Sequence, residues 1–469
     1  MARRNYSSIA SLSELQIPLL KKIYKIMVSC PRVGLESTLT DTGIKVSPEL
    51  VEETLRRFEN AGMLSYRFFE WCNKQRGYRH SVRAYHTMIS SLAKIRQYQL
   101  MWDLVSKMRA KEMLNVETFG IIIRKYARAH RVDEAIYTFN VMDKYGVTSN
   151  LAAFNILLAA FCKSKNVRKA QAIFDDMKGE RFTPDSKTFS ILIEGWGREP
   201  NLPKAKEVFD EMIDSGCKPD VVTYGIMVDI LCKVGKVGEA LDIVREMLDT
   251  GGSCRPNTYI YSVLIHTYGI QKQTKEAVDV FLEMESNGIA ADVVAYNALI
   301  GAFCKVNQLG NCSMVISEME NRCIKPNSRS LNIILNSLIY LGRTDEAFRF
   351  FRQMMKKSCE PDSDTYTIMM KMFCDLNQLD KAMKVWRYMG LKQFVPTMHT
   401  SCLLVNRLCD SGDAQKACAL VEEMIEKGVQ PSGYTFGKLR HLLLKEKRDD
   451  VVKYLTEKIN LLIKEPLCD

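Results

Sequence analysis

The sequence lacks the features that mark several common protein classes. No apolar run approaches the roughly 18 residues that a membrane-spanning helix needs, so we expect no membrane protein. Its 15 cysteines include no Cys-x-x-Cys pair, and none of its six histidines is followed by Glu two residues later. The zinc deaminase signature is therefore missing, and we expect neither a metal site nor a disulfide framework.

Basic residues outnumber acidic ones. The net charge is +11, with 46% apolar and 26% charged residues, which is typical of a foldable chain and suits a polyanionic partner. Residues 1–45 form a basic segment, in which six Lys or Arg stand between Met1 and Leu35 against a single Glu. This Arg-rich, Ser-rich composition is that of an organelle transit peptide or of an ordinary basic first helix.

A period of about 35 residues runs through most of the chain, marked by methionines and, seven residues before them, by alanines. The methionines are Met108, Met142, Met177, Met212, Met247, Met284, Met319, Met354, Met389 and Met424. The alanines are Ala135, Ala170, Ala205, Ala240, Ala277, Ala347, Ala382 and Ala417, with Cys312 in one slot. Five cysteines also recur at one point of the repeat, and we expect them to be buried and reduced: Cys162, Cys232, Cys304, Cys374 and Cys409.

Each unit has the pattern of two helices joined by a turn. In the unit from Val221 to Asn257, apolar spacing predicts helices over 223–234 and 239–249, separated by a break from Gly235 to Gly238. One such hairpin cannot bury its own apolar face, whereas stacked hairpins can. We therefore predict an all-α fold, a right-handed superhelical α-solenoid of helix-turn-helix repeats, with methionines in the core and first helices on the concave side.

The repeat resembles that of the pentatricopeptide-repeat family. The resemblance rests on VVTYGIMVDILCKVGKVGEALDIVREM at 221–247, on VVAYNALIGAFCK at 293–305, and on the endings CKPD and KPN. The near-uniform spacing of about 35 residues between repeats is similar to that of the P-type of the family. It divides the chain into a degenerate capping repeat at 46–81, ten repeats at 82–432, and a truncated repeat with a tail at 433–469. The tetratricopeptide repeat is the nearest alternative, but the four tryptophans share no phase.

The resemblance implies binding of single-stranded RNA, with one base per repeat and no enzymatic activity or cofactor. In this family the fifth residue of the first helix and the last residue of the repeat contact the base. A last Asp only accepts hydrogen bonds and favours U or G, a last Asn can donate to A or C, and a short fifth residue leaves room for a purine. The base-reading pairs so implied are Asn155/Asp185, Ser190/Asp220, Gly225/Asn257, Ser262/Asp292, Asn297/Asn327, Asn332/Asp362 and Thr367/Thr397.

In chain order these pairs predict 5′-U-G-A-G-Y-U-R-3′, where Y is a pyrimidine, R is a purine, and the A and R positions are weakly specified. Three irregular pairs stay outside this motif: His86/Asn115, Cys402/Ser432, and Gly120/Asn150, which is a weak reader of A through its Asn. The resemblance also assigns base stacking to the second residue of a repeat, a position that Glu117 and Asp364 do not fit. The stacking residues are Lys187, Val222, Tyr259, Val294 and Arg329.

The thirteenth residue is basic in six of the first seven repeats. We refer to these residues as the basic row: Lys94, Arg128, Lys163, Arg198, Lys233 and Lys305. Cations repeated on consecutive first helices would follow RNA phosphates, and the alternative is an ordinary solvated face.

The sequence thus favours an organellar RNA-binding protein that acts in RNA stability, processing or translation. We expect it in the mitochondrion, with the chloroplast as the alternative, and we expect recruited processing or translation proteins as further partners. The competing hypothesis is an α-solenoid scaffold that binds a peptide or partner protein in its concave groove. The phased pairs of Asn or Ser with Asp disfavour this scaffold, because a peptide groove has no reason to repeat them.

Overall fold

The computed structural model describes residues 16–29, 34–59, 62–179, 181–250, 254–354, 361–391, 394, 397–426 and 431–463. Residues 1–15 and 30–33 of the basic segment and 464–469 of the tail lie outside these ranges. The fold divides into two compact units, which we call unit 1 (Met1–Ala160 and Thr397–Asp469) and unit 2 (Phe161–Pro396). In the described ranges no helix is long and apolar enough to span a membrane.

The regular secondary structure of the described residues is helical. The first half of the helices is α1 (Gln16–Ser29), α2 (Leu35–Asp41), α3 (Pro48–Arg57), α4 (Gly62–Asn73), α5 (Val82–Lys94), α6 (Tyr98–Ala110), α7 (Val116–Arg128), α8 (Val132–Asn140), α9 (Leu151–Lys163), α10 (Val167–Met177), α11 (Ser186–Arg198), α12 (Leu202–Asp214) and α13 (Val221–Val234). The second half is α14 (Val237–Thr250), α15 (Thr258–Ile270), α16 (Thr274–Ser286), α17 (Val293–Lys305), α18 (Leu309–Asn321), α19 (Ser328–Tyr340), α20 (Thr344–Met354), α21 (Ser363–Asp375), α22 (Leu379–Leu391), α23 (Met398–Asp410), α24 (Ala414–Glu426), α25 (Gly433–Lys445) and α26 (Asp449–Ile463).

Each first helix of a repeat begins after a residue that caps it. Asp220 has an extended backbone (φ −99°, ψ 175°), and its Oδ1 accepts hydrogen bonds from the backbone N–H and the hydroxyl of Thr223, both at 2.8 Å. Such a cap satisfies N–H groups that have no partner inside the helix and contributes about 1 kcal/mol. The last residues of the other repeats cap the next helix in the same way: Asn115, Asn150, Asp185, Asn257, Asp292, Asn327, Asp362, Thr397 and Ser432.

The turn between the two helices of a pair needs one residue in the left-handed region. Gly235 fills this position with φ +85°, whereas Lys272 and Asn307 fill it in two later repeats. The expected break at Gly238 is wrong, because α14 already begins at Val237. A single residue with positive φ is enough to reverse the chain, so Gly238 lies in the first turn of the second helix.

Consecutive first helices contact one another within each unit. In unit 2 the contacts run from α11 to α13, α15, α17, α19 and α21 in turn, and each of these helices also contacts the second helix of its own pair. In unit 1 the same contacts join α3 to α5, α5 to α7, and α23 to α25. Contacts between consecutive hairpins are the arrangement of an α-solenoid, and the predicted all-α repeat fold is confirmed.

The methionine and alanine series form the core, as predicted. The alanines and Cys312 have no exposed surface, and the methionines are at most 2% exposed apart from the half-buried Met177. Four of the five repeated cysteines are buried, and burial raises the pKa of Cys162 to about 12. The prediction is wrong for Cys304, which is only half-buried; its Sγ lies 3.6 Å from that of the fully buried Cys312, which holds the alanine position of this repeat.

The described chain is helical at both ends. Residues 16–29 of the basic segment form α1, whose Leu20, Ile23 and Met27 are at most 2% exposed and which contacts α2 and α3. These residues therefore belong to the fold as a first helix. At the other end, α25 and α26 form a complete pair where the sequence indicated a truncated repeat.

Candidate nucleic-acid interface

The fifth and last residues of a repeat meet at the start of the next first helix. Asn332 lies in α19 and donates a hydrogen bond from Nδ2 to Oδ1 of Asp362 at 3.2 Å. Asp362 in turn caps α21, the helix that contacts α19. Packing of consecutive first helices thus brings together two polar residues that are 30 positions apart in the sequence.

Ser190 and Asp220 are joined through a third residue. Ser190 Oγ lies 2.8 Å from the hydroxyl oxygen of Thr223, which donates to Asp220 Oδ1 at 2.8 Å. The Oγ atoms of Ser190 and Ser262 also lie 2.9 Å and 2.7 Å from the carbonyl oxygen one turn earlier on their own helices. Both short side chains therefore lie against their helix, and both are buried.

In five of the last residues the cap uses only one of the two polar side-chain atoms. In Asp220, Asp292 and Asp362 every recorded hydrogen bond goes to Oδ1, and Oδ2 has no partner among the described residues. In Asn257 and Asn327 the cap also uses Oδ1, which leaves Nδ2 without a recorded partner in the same ranges. Because the cap must be an acceptor, it fixes the amide orientation. Asp therefore presents an acceptor outward and Asn a donor.

The remaining fifth residues have different surroundings. A Cβ added at Gly225 would lie 3.5 Å from Ile260 and 3.7 Å from the ring of Tyr259, which are ordinary contacts. At Gly120 the corresponding atom would lie only 3.2 Å from Ile156, a crowded position. Asn297 has a buried Oδ1 without a hydrogen-bond partner among the described residues.

The two pairs at the ends of the predicted RNA motif are Asn155/Asp185 and Thr367/Thr397. Asn155 is 4% exposed on α9, and Asp185 caps α11. Thr367 donates to the carbonyl of Ser363 at 2.9 Å, and Thr397 caps α23.

The second residues of the repeats are exposed. Val222, Tyr259 and Val294 expose 63%, 54% and 54% of their surface, and Lys187 and Arg329 are exposed cations. Apolar side chains repeated at one exposed register contribute little to the core and are available to a ligand. Sequence reasoning missed Tyr434, which is 74% exposed at the same register of α25. Its position two residues after the capping Ser432 was the available signal.

The residues of the basic row lie at the C-terminal ends of first helices and are all exposed. Three have an acidic partner: Lys94 with Glu59 at 2.7 Å, Arg198 with Glu194 at 2.6 Å, and Lys233 with Asp229 at 2.5 Å. No ion pair of Arg128, Lys163 or Lys305 is recorded in the described ranges. Ion pairs this exposed contribute about 0–1 kcal/mol, so a phosphate can replace the carboxylate at small cost.

One further cation lies beside the row. Lys125 of α7 is half-buried, and its burial together with the charges of Lys94 and Arg128 lowers its pKa to about 8. Several cations held close together in this way are poorly stabilised by the protein itself and would be stabilised by an anion. In the described part of the chain, no group of three His, Cys, Asp or Glu side chains has a metal-binding arrangement.

Comparison with protein-family models identifies the repeat. The model described as the PPR repeat family matches residues 114–163, 149–198, 291–339 and 330–375, and the pentatricopeptide repeat domain matches 242–307. Two PPR repeat models match 215–248 and the segments 83–113, 187–217, 364–394 and 400–429. Together these matches cover 83–394 and 400–429, well over half of the chain. The chain belongs to the pentatricopeptide-repeat family.

Curated pentatricopeptide-repeat proteins match parts of this chain. A mitochondrial pentatricopeptide repeat-containing protein of Arabidopsis thaliana is 59% identical over 151 residues, which is 32% of this chain and 29% of that protein. A second one from the same plant is 41% identical over 126 residues, or 27% and 25% of the two chains. The match thus spans less than a third of either relative. Three relatives are named mitochondrial, which agrees with the predicted localisation.

Solved structures of helical-repeat proteins are also similar. Maize PPR10 has 18% identity and a TM-score of 0.38, with 96% of this chain and 78% of that chain covered. PPR10 in complex with an 18-nt psaJ RNA element has 21% identity, a TM-score of 0.39, and coverage of 96% and 67%. Yeast Rmd9p in complex with 16-nt target RNA has 14% identity, a TM-score of 0.41, and coverage of 87% and 88%.

Proposed function

We propose that this pentatricopeptide-repeat protein binds one single-stranded RNA segment in mitochondria, reads one base with each regular repeat, and has no catalytic site or cofactor. The observation that carries the proposal is the second side-chain atom of five last residues, which has no recorded partner among the described residues: Oδ2 in Asp220, Asp292 and Asp362, and Nδ2 in Asn257 and Asn327. The helix cap fixes Oδ1, so Asp220 offers only an acceptor outward and Asn327 only a donor. The outward hydrogen-bonding character of the last residue then depends on whether it is Asp or Asn, as a one-base reader requires.

Base identity follows from the fifth and last residues together. An outward acceptor beside a short serine side chain suits the imino N–H of guanine, and we assign G to Ser190/Asp220 and Ser262/Asp292. The longer Asn with Asp reaches the imino N–H of the smaller uracil, and an outward donor suits cytosine. We therefore assign U to Asn332/Asp362 and to Asn155/Asp185, and a pyrimidine to Asn297/Asn327. Gly225/Asn257 and Thr367/Thr397 are weak readers of A and of a purine.

The exposed second residues and the basic row support the same proposal. Val222, Tyr259 and Val294 offer exposed apolar surface on which bases stack. Cations at the ends of consecutive first helices supply the sequence-independent share of the affinity through phosphate contacts. An RNA segment held in this way is shielded from nucleases and kept unfolded, which is how occupancy alone would act on RNA stability, processing or translation.

Direct binding of short RNAs tests this proposal. A 16-mer that contains UGAGCUA at its centre should bind at least about tenfold more tightly than an RNA of the same composition in scrambled order, since single hydrogen-bond mismatches cost about 1–3 kcal/mol. A scrambled RNA of equal affinity would contradict base reading. Failure to bind either RNA, with retention of a partner protein instead, would favour the scaffold function.

A further inference from the structure

The third residue of a first helix contacts the base-reading pair of the preceding repeat. Thr365 in α21 is fully buried, and its hydroxyl lies 2.8 Å from Asn332 Oδ1 and 2.8 Å from Asp362 Oδ1. Asn332 Nδ2 donates to that same Asp362 Oδ1 at 3.2 Å. The three side chains form one cluster that spans two repeats, in which the single hydroxyl proton of Thr365 can go to Asn332 Oδ1 while Asp362 Oδ1 accepts from Asn332 Nδ2 and from the backbone N–H of Thr365.

The same bridge occurs in two other repeats. Thr223 connects Ser190 with Asp220 through contacts of 2.8 Å on each side. In unit 1, Thr118 lies 2.9 Å from Nε2 of His86 and donates to the capping Asn115 at 3.0 Å. Both threonines are fully buried, so neither hydroxyl is exposed to solvent.

The cap does not itself require this bridge. Ser330 holds the same position in α19, and its backbone N–H and hydroxyl bond to Oδ1 of the capping Asn327 at 3.0 Å and 3.1 Å. No hydrogen bond between Ser330 and Asn297 is recorded in the described ranges, and Asn297 Oδ1 stays buried and unpaired. Four further repeats have no hydroxyl here, because the third residue is Ala84, Ala153, Ile260 or Ala295. Contact with the fifth residue is therefore a feature separate from capping.

We propose that Thr223 and Thr365 are positioning residues for base recognition and that each acts on the repeat before its own. The inference rests on the RNA-binding function proposed above and deepens it. An Asn amide that rotates by half a turn exchanges its donor and its acceptor. When Thr365 donates to Asn332 Oδ1, this amide is held with Nδ2 toward Asp362, and Asn332 presents a single pattern to the base. The base chosen by one repeat then depends on the sequence of the next.

Removal of one hydroxyl tests the inference. Thr365→Val keeps the shape of the side chain, Thr365→Ser keeps the hydroxyl, and Ser330→Ala removes a hydroxyl that bonds only to a cap. For each variant, dissociation constants are measured for four RNAs that differ only at the base facing Asn332/Asp362. Melting temperatures report the loss of capping. Thr223→Val gives a second, independent measurement at the base facing Ser190/Asp220.

In the valine variants, the ratio of affinities between the predicted base and the other bases should fall about fivefold. This change corresponds to the roughly 1 kcal/mol of one hydrogen bond. The loss should occur only at the preceding repeat, and Thr365→Ser should stay within about twofold of wild type. Ser330→Ala should lower the melting temperature without changing any base preference. Valine variants that retain full preference in an otherwise selective protein would overturn the inference alone. A wild-type chain that shows no preference at any position would overturn the proposed function itself.

Discussion

Asp220→Asn separates the two roles that the last residue of a repeat performs. In the wild type, Oδ1 caps α13 through two hydrogen bonds of 2.8 Å to Thr223, and Oδ2 has no partner among the described residues. Asparagine keeps Oδ1 and replaces Oδ2 by an amide donor. Because Asn and Asp are similarly good N-caps, the free energy of unfolding should change by less than about 0.5 kcal/mol.

The effect on RNA should be large and confined to one base. With Ser190 unchanged, the short fifth side chain remains, but the outward acceptor that suits the N1–H of guanine becomes a donor that suits N1 of adenine. An unmatched hydrogen-bonding group costs about 1–3 kcal/mol, which corresponds to about 5-fold to 150-fold in affinity. We expect a preference for G in the wild type and a preference of similar size for A in the variant.

Competition binding with RNAs that differ only at this base measures the exchange. Asp249→Asn is the matched control, because it removes the same charge from an exposed position on the second helix α14. Asp220→Ala should lose the cap, at a cost of about 0.5–2 kcal/mol, together with the discrimination between purines. If Asp220→Asn and wild type select the same base, or if the change appears at another position, the proposed register is wrong.

Three further predictions concern charge, pH and a glycine. Replacement of Lys163, Arg198 and Lys233 by alanine should weaken binding to all RNAs alike. It should also flatten the slope of log affinity against log salt by roughly 0.7 per lost contact. An unchanged slope would mean that these residues do not contact phosphates and form an ordinary solvated face. Burial lowers the pKa of His80 from 6.5 to about 4, so the unfolded chain binds the proton first. Stability in urea should therefore fall by up to about 3 kcal/mol between pH 6.5 and 4, and a His80→Gln variant with the same pH slope would refute this assignment. Gly225→Ser fits without a clash and should raise the preference for A at its position at least about fivefold in the same binding assay, whereas no gain would remove Gly225 from the reading register.

The period alone predicted the helical pairs and most of the core. A methionine or alanine that returns every 35 residues or so must have the same environment in each unit, and the structure buries nearly all of them. Met177 and Cys304 are exceptions, since the burial of a side chain depends on local neighbours that a period does not specify. The helix boundary at Val237 was misjudged for a similar reason, because glycine spacing does not show which residue takes the positive φ.

The sequence also indicates the capping role of the last residues. Asp220 and Thr223, or Asp362 and Thr365, have the spacing of a capping pair, and this places each last residue at a helix start. The contacts of Thr223 with Ser190 and of Thr365 with Asn332 could not be predicted. They depend on the packing of consecutive repeats, which brings together residues that are 33 positions apart.

In vitro selection from a randomised RNA pool tests the central claim most directly. The purified wild-type chain should enrich RNAs with a shared segment that follows U-G-x-G-Y-U, with the fixed positions in the order of the repeats from Asn155 to Asp362. The positions that face Gly225/Asn257 and the irregular repeats should vary among the selected RNAs. A pool without a shared segment, or one whose fixed bases do not follow the repeat order, would contradict one-base reading by this protein.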